Sequence, residues 1–176
     1  MSDLFNQVTS SEDFFTKLLA KIPGFTGYIE RQNRRAADKL LRDTVANEFE
    51  EVWKRISTLQ SDLVSQGGLE YVDDLEKSAI KYRQFIDRVR NASYGYSGVF
   101  DAIKINEAEL AKIYEYDLSM LTLVDEANRA VDTVEASIGT DGLPAAIRNL
   151  RSVAGKAVDV YNHRSEIVLA QNQASQ

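Results

Sequence analysis

The sequence lacks cysteine altogether, and its 176 residues include only two prolines and one histidine. Without cysteine the chain forms no disulfide and offers no thiolate to a metal or a substrate. The histidine, His163, has Val160 three positions before it, so the Glu-x-x-His motif of di-iron bundles is absent. Neither of the glycine-rich phosphate-binding motifs occurs. We therefore expect a protein without catalytic activity, metal or cofactor, in which His163 is a solvated surface residue.

Long apolar runs are also missing. No stretch approaches the roughly 20 apolar residues that span a bilayer, and residues 1–5 lack the basic start and apolar core of a secretory signal. The composition, 44% apolar and 27% charged, is typical of a folded soluble domain. We expect a cytoplasmic protein with one domain over residues 10–170, between an N-terminal tail (1–9) and a polar C-terminal tail (171–176).

An apolar side chain recurs at alternating steps of four and three residues on both sides of Gly67 and Gly68. The first series is Val45, Phe49, Val52, Ile56, Leu59 and Leu63, and the second is Val72, Leu75, Ala79, Tyr82, Ile86 and Val89. This spacing keeps the side chains on one seam of a helix, as in coiled coils. Glycine permits the positive φ of a tight reversal. The pattern predicts a hairpin of helices over 26–65 and 69–92.

A second hairpin follows the glycine- and serine-containing stretch 93–98. Its first helix begins after Asn106, and its second begins near Pro144, beyond a glycine-flanked turn at 139–142. Each helix has one apolar line, comprising Leu110, Ile113, Met120, Val124, Ala127, Val131, Val134 and Ile138, then Ile147, Leu150, Ala154, Ala157, Tyr161 and Val168. The predicted fold is an all-α, antiparallel four-helix bundle of two long hairpins, with a short amphipathic N-terminal helix.

A basic segment marks the start of the first long helix. The stretch from residue 21 to 42 carries six cations and two acids, a charge of +4. Because the net charge of the whole chain is −6, the remaining residues together carry −10. The candidate binding residues for an anionic partner are Arg31, Arg34, Arg35, Lys39 and Arg42. The alternative is a solvated face that pairs with the acidic helices of the same bundle.

The N-terminal helix places its large apolar residues on one face: Phe14, Phe15, Leu18, Leu19 and Ile22. An apolar face beside a basic segment is typical of a helix that lies on a membrane surface. It is also typical of a helix that covers the end of a bundle, and exchange of this helix between subunits is a third possibility. We assign these residues as a candidate apolar contact.

Tyrosines concentrate in the middle of the chain, and Asp117 stands among them. Asp117 occupies the seam of the third long helix between Ile113 and Met120, where an apolar side chain is expected. A carboxylate there must be hydrogen-bonded, paired or partly hydrated. One interpretation is a residue that is held by a tyrosine hydroxyl or an arginine and fixes the register of the bundle. The other is a ligand or cation site formed by Tyr94, Tyr114 and Asp117.

Two stretches resemble segments of uncharacterised bacterial all-helical proteins. They are Ile-Pro-Gly-Phe-Thr-Gly-Tyr at 22–28 and Ala-Ser-Tyr-Gly-Tyr-Ser-Gly-Val-Phe-Asp-Ala at 92–102. The resemblance covers residues 22–120. It implies a bacterial cytoplasmic protein, and it brings neither an activity nor a site residue.

These observations predict a non-enzymatic interaction or scaffold protein. Its partners are a second copy of the chain, another protein with an acidic surface, or an anionic membrane surface to which it attaches peripherally. The net charge of −6 argues against nucleic acid as a partner. The alternative function is a small-ligand-binding or sensory bundle that uses the tyrosine-rich middle and Asp117.

Overall fold

The structure of the protein is a computed structural model that describes residues 13–26, 34–92 and 107–174. Within these residues the chain forms helices and connecting turns, without a strand. A short helix, α1, covers residues 13–21. The four long helices are α2 (Arg34–Ser65), α3 (Leu69–Asn91), α4 (Glu107–Ser137) and α5 (Leu143–Ala174). The prediction of an all-helical fold is confirmed for this part of the chain.

The predicted seams form the core. Every apolar residue of the α2 series from Val45 to Leu63 is buried, and so is the α3 series from Leu75 to Val89, whereas Val72 is half-buried. Burial of an apolar face is what stabilises an amphipathic helix in water, because its isolated segments would be marginal. The four-and-three spacing therefore predicted the buried side of α2 and α3 correctly, apart from Val72.

Glycine ends α2 and starts the reversal into α3. Gly67 has a φ of 80°, in the left-handed region that an L side chain rarely adopts. The Gly68 N–H donates to the carbonyl of Leu63 at 2.8 Å, and the Gly67 N–H donates to the carbonyl of Val64 at 3.4 Å. These two bonds form a Schellman motif, which satisfies carbonyls at the helix end and fixes where α2 stops.

The long helices pack against one another as in a helical bundle. The most extensive contacts join α2 to α3 and α4 to α5, and further contacts join α2 to α4 and α3 to α5. The ring centroid of Phe49 in α2 lies 4.8 Å from that of Phe85 in α3. Phe85 in turn meets the edge of Tyr161 in α5 at 6.2 Å. These aromatic contacts connect three helices through one core.

The predicted start of the first long helix differs from the structure. Thr26 is not helical, so the prediction that the first long helix begins there is wrong. The buried Phe25 donates its N–H to the carbonyl of Ile22 at 3.1 Å, which holds this stretch in a turn. At the C-terminal end of the chain α5 continues to Ala174, so part of the polar stretch 171–176 is helical, and glutamine and alanine are good helix formers. Residues 27–33 and 93–106 lie outside the described residues.

Tyr82 places a hydroxyl in the core between α3 and α5. Its side chain is fully buried, and the hydroxyl donates to the carbonyl of Leu150 at 3.1 Å. Burial, and secondarily the negative charge of Glu126, raise the pKa of Tyr82 well above its ordinary value of 10.0. The folded protein therefore keeps this hydroxyl neutral at a pH where the unfolded chain ionises it.

This raised pKa predicts a loss of stability in alkali. Below the ordinary tyrosine pKa both states are neutral at Tyr82, and its contribution to stability is complete. Above that pH the unfolded state loses a proton that the folded state keeps, so the free energy of unfolding falls by about 1.4 kcal/mol per pH unit from this group. Tyr82→Phe is expected to remove this contribution to the decrease in the free energy of unfolding. Urea unfolding at pH values below and above the ordinary tyrosine pKa measures the difference. If the free energy of unfolding fell equally steeply with pH in the wild type and in Tyr82→Phe, the raised pKa of Tyr82 would be contradicted.

Candidate functional site: a buried charge network and its surroundings

Four charged side chains lie in the core where α2, α4 and α5 meet. Asp38 and Arg42 come from α2, Asp117 from α4 and Arg164 from α5, and none is more than 5% exposed. Arg164 donates through Nε to Oδ1 of Asp117 and through Nη2 to Oδ1 of Asp38, the latter at 2.7 Å. The other oxygen of Asp38 accepts a bond from Nε of Arg42 at 2.8 Å. We call these four residues the charge network.

The charge network also reaches α3. Nη1 of Arg42 donates to the carbonyl of Val89 at 3.2 Å, close to the C-terminal end of that helix. Two arginines and two aspartates balance in charge, which is the condition for keeping ions away from water at a tolerable cost. The bonds of the charge network therefore connect all four long helices.

Arg164, an arginine of another helix, binds Asp117, and an arginine is one of the partners that the first interpretation of this position named. Asp117 is fully buried, and Tyr114, three residues before it, is also buried. The second interpretation, a ligand or cation site formed by Tyr94, Tyr114 and Asp117, includes Tyr94, which lies outside the described residues. The contacts of Asp117 with Arg164 favour a role in setting the register.

Sequence reasoning missed Asp38 and Arg164 as core residues. Arg164 follows Ala157 and Tyr161 at steps of four and three, and Asp38 lies seven positions before Val45. Both are therefore on seams that the apolar pattern had already defined. That spacing was the available signal, and the charge of the residues concealed it.

The structure separates the predicted anion-binding residues. Arg42, a candidate binding residue for an anionic partner, is instead buried and bonded to Asp38, where its charge balances that of the aspartates in the core. Lys39 is exposed. Arg34 and Arg35 belong to the first turn of α2, but their side chains, like all of Arg31, lie outside the described residues.

The N-terminal helix packs against the long helices. Leu18 and Ile22 are buried, Phe14 and Phe15 are half-buried against the core, and Leu19 is 43% exposed. On this helix, then, the large apolar side chains that leave surface for a partner are Leu19 and, in part, the two phenylalanines. Of the three interpretations of this helix, the structure favours the one in which it covers the bundle.

Contacts with α4 hold α1 in place. The rings of Phe15 and Phe25 lie 5.7 and 6.4 Å from the ring of Tyr114. On the surface, Lys21 of α1 pairs with Asp125 of α4 at 3.0 Å. The predicted ligand residue Tyr114 thus serves as an apolar anchor for the N-terminal segment.

A broad open groove runs between α4 and α5 beside Phe14. Its volume is about 770 Å³, and Leu118, Leu123 and Val160 supply much of its apolar lining. At one end the rings of Tyr116 and His163 stack, with centroids 6.3 Å apart and planes within 9°. His163 is exposed, as predicted, and its Nδ1 lies 2.7 Å from the carbonyl oxygen of Asp159.

Searches for similarity find no match to this chain among protein-family models, curated proteins or solved structures. Over the described ranges, no helix combines the length and the apolar character that crossing a membrane requires. The same residues contain no group of three or more histidine, aspartate or glutamate side chains arranged to hold a metal ion.

Proposed function

We propose that this protein is a non-enzymatic interaction protein that associates with an acidic or phosphate-bearing partner through the basic start of α2. The observation that carries the proposal is the pairing of Asp38 with Arg42 in the core. Without these two residues, and with Lys21 paired to Asp125 of α4, the stretch from residue 21 to 42 keeps four cations and one acid, a charge of +3. The acid nearest to Lys39 is thereby withdrawn from the surface, and the basic character of the segment is preserved.

The position of these cations favours an anionic partner. Arg34, Arg35 and Lys39 belong to the first turns of α2, where the helix dipole is positive and cations are disfavoured. An anion bound there interacts well with both the side chains and the helix end. Charge of this kind speeds association and selects the partner more than it adds affinity.

A second copy of the chain is one such partner. The residues outside the basic stretch carry −10, so another molecule presents a predominantly acidic surface. Leu19, 43% exposed on α1, adds a small apolar contact near the basic segment. We propose self-association, or attachment to another anionic protein or membrane surface, as the outcome of this charge separation.

We further propose that the four long helices form one four-helix bundle made of two hairpins. Antiparallel helices within the first hairpin are supported by Arg42, early in α2, which meets Val89, late in α3. In the second, Glu126 of α4 pairs with Lys156 of α5 at 2.5 Å, while Asp117, earlier in α4, pairs with Arg164, later in α5. The hairpins lie side by side, with α2 next to α4 and α3 next to α5.

Reversing the charge of Arg34, Arg35 and Lys39 to glutamate tests the proposed surface. Each cation near an anionic membrane contributes about 1 kcal/mol, so the triple variant is expected to bind phosphatidylglycerol vesicles at least about tenfold more weakly. Cosedimentation with these vesicles, and with poly-glutamate as a protein-like probe, measures the change. Far-ultraviolet circular dichroism is expected to be that of the wild type, because glutamate is favoured near the N-terminal end of a helix and Lys39 is exposed.

The matched control reverses three exposed cations elsewhere, Lys54, Lys112 and Arg129. It changes the net charge by the same amount. If the control variant loses as much binding as the test variant, overall charge governs association, and the assignment to α2 fails. Unchanged binding of the test variant to both probes would also overturn it.

A further inference from the structure

A second basic surface, independent of the start of α2, lies in a groove between α3 and α5. The groove has a volume of about 400 Å³, in the range of small-molecule sites. Its lining residues are Lys81, Arg148, Arg151, Ser152, Gly155, Lys156 and Asp159. Four cations and one acid give this lining a charge of +3 in a chain whose net charge is −6.

Three of the four cations are available to a ligand. Lys81 and Arg148 are exposed and Arg151 is half-buried, and none has a carboxylate within 4.0 Å in the part of the chain that the structure describes. The fourth, Lys156, pairs with Glu126 at 2.5 Å.

Acidic residues border the groove without neutralising it. Asp159 lines it, and Asp74 lies beside Arg148 and Arg151 in an adjoining recess. Asp74 already forms an ion pair with Lys77 at 3.1 Å. The two arginines thus keep their full donor capacity, although an acid stands near them.

Gly155 keeps the floor of the groove open. It follows Arg148 and Arg151 at steps of three and four, so the three residues share one side of α5. Glycine is unfavourable inside a helix, yet no neighbouring group demands it here, because an added Cβ would meet no atom within 4 Å. The missing side chain leaves room directly between the arginines and the following turn.

We propose that this groove binds a soluble phosphate-bearing anion with at least two negative charges. Arg148 and Arg151 donate paired N–H groups to the phosphate oxygens, a geometry that guanidinium groups suit well. Lys81 approaches from α3, and the anion lies over Gly155. The site is separate from the charge network, since Arg164 follows Arg151 by thirteen residues, about 20 Å along the helix.

Titration calorimetry with tripolyphosphate at low ionic strength tests the site, because salt screens exposed charges. The wild type is expected to bind, and Arg148→Gln/Arg151→Gln to bind at least about tenfold more weakly. No binding to the wild type at millimolar tripolyphosphate, or equal binding to the double variant, would overturn the proposal. The control is Arg129→Gln, which removes one positive charge from an exposed position of α4 outside the groove. Its affinity for tripolyphosphate should be within about twofold of that of the wild type.

Substitutions of Gly155 that place a side chain in the groove distinguish an effect on anion binding from an effect on folding. Gly155→Ala is expected to raise the melting temperature by about 2–4 °C, since alanine is the better helix former. Gly155→Leu should remain folded in the absence of ligand and lose affinity as the arginine variant does. Wild-type affinity in Gly155→Leu would show that the anion lies elsewhere.

A third arm identifies the source of the phosphate. Binding to tripolyphosphate that depends on Arg148 and Arg151 supports a soluble anion. Arginine-dependent binding to phosphatidylglycerol vesicles without binding to tripolyphosphate would overturn that part and assign the groove to lipid headgroups. Because the α2 variants leave this groove intact, loss of the proposed α2 function and loss of anion binding are distinguishable.

Discussion

Arg164→Met is expected to lower the free energy of unfolding by about 3–5 kcal/mol, because it leaves the carboxylate of Asp117 buried without its charge partner. Asp117 and Arg164 are both fully buried, so water cannot replace the lost bond. Asp38 loses its bond from Arg164 as well and, among the residues that the structure describes, keeps the one from Arg42. The penalty thus comes from uncompensated charge, since methionine fills much of the volume that the arginine occupied.

Urea unfolding followed by circular dichroism measures this effect. The control, Arg129→Met, changes an exposed arginine of α4 and is expected to stay within about 0.5 kcal/mol of the wild type. In Asp117→Asn/Arg164→Met the loss should be smaller than the sum of the two single losses, because one buried charge is removed together with its partner. Additive losses, or a stable Arg164→Met protein, would contradict the charge network.

Phe49→Ala is expected to cost about 3–5 kcal/mol, the usual range for removing a large aromatic side chain from a packed core. The ring of Phe49 is fully buried and contacts the rings of Phe85 at 4.8 Å and Tyr82 at 5.9 Å. Truncation therefore opens a cavity between α2 and α3 and also removes the favourable edge-to-face contact with Phe85.

The control for Phe49 is Leu69→Ala at the start of α3. Leu69 is 65% exposed, so its truncation should change the free energy of unfolding by less than about 0.5 kcal/mol. Denaturant midpoints of the two variants, measured together with the wild type, give the comparison. Similar small losses in both would mean that the aromatic cluster is not packed as described.

The apolar part of the fold could be predicted from the sequence because a helix imposes a fixed spacing on its buried side. Phe49, Ile56 and Val131 were assigned to the core from that spacing alone, and they are buried. The reversal between α2 and α3 was equally accessible, since Gly67 has the positive φ that its position demanded.

The charged part of the core could not be predicted in the same way. The sequence gives no reason to place Arg42 and Arg164 in the core, because burying a single unpaired charge has a very large cost in free energy. They become tolerable only through Asp38 and Asp117, and Arg164 is 126 residues away from Asp38 in sequence. A single sequence shows the cost of each charge but not the partner that offsets it.

The groove between α3 and α5 was missed for a related reason. Arg148 and Arg151 stand on α5 and Lys81 on α3, far apart in the chain, so no local run of cations marks them. The basic start of α2 could be predicted from the sequence because its cations are close together in the chain. One of them, Arg42, has its role in the core instead.

Light scattering of the purified protein tests most directly the central claim that it works by association. The protein is measured alone at several concentrations, then with phosphatidylglycerol vesicles, neutral vesicles or poly-glutamate. The account predicts an increase in mass, either with protein concentration or with an anionic probe, that neutral vesicles do not produce and that high salt abolishes. A monomer whose scattering is unchanged under all of these conditions would contradict it.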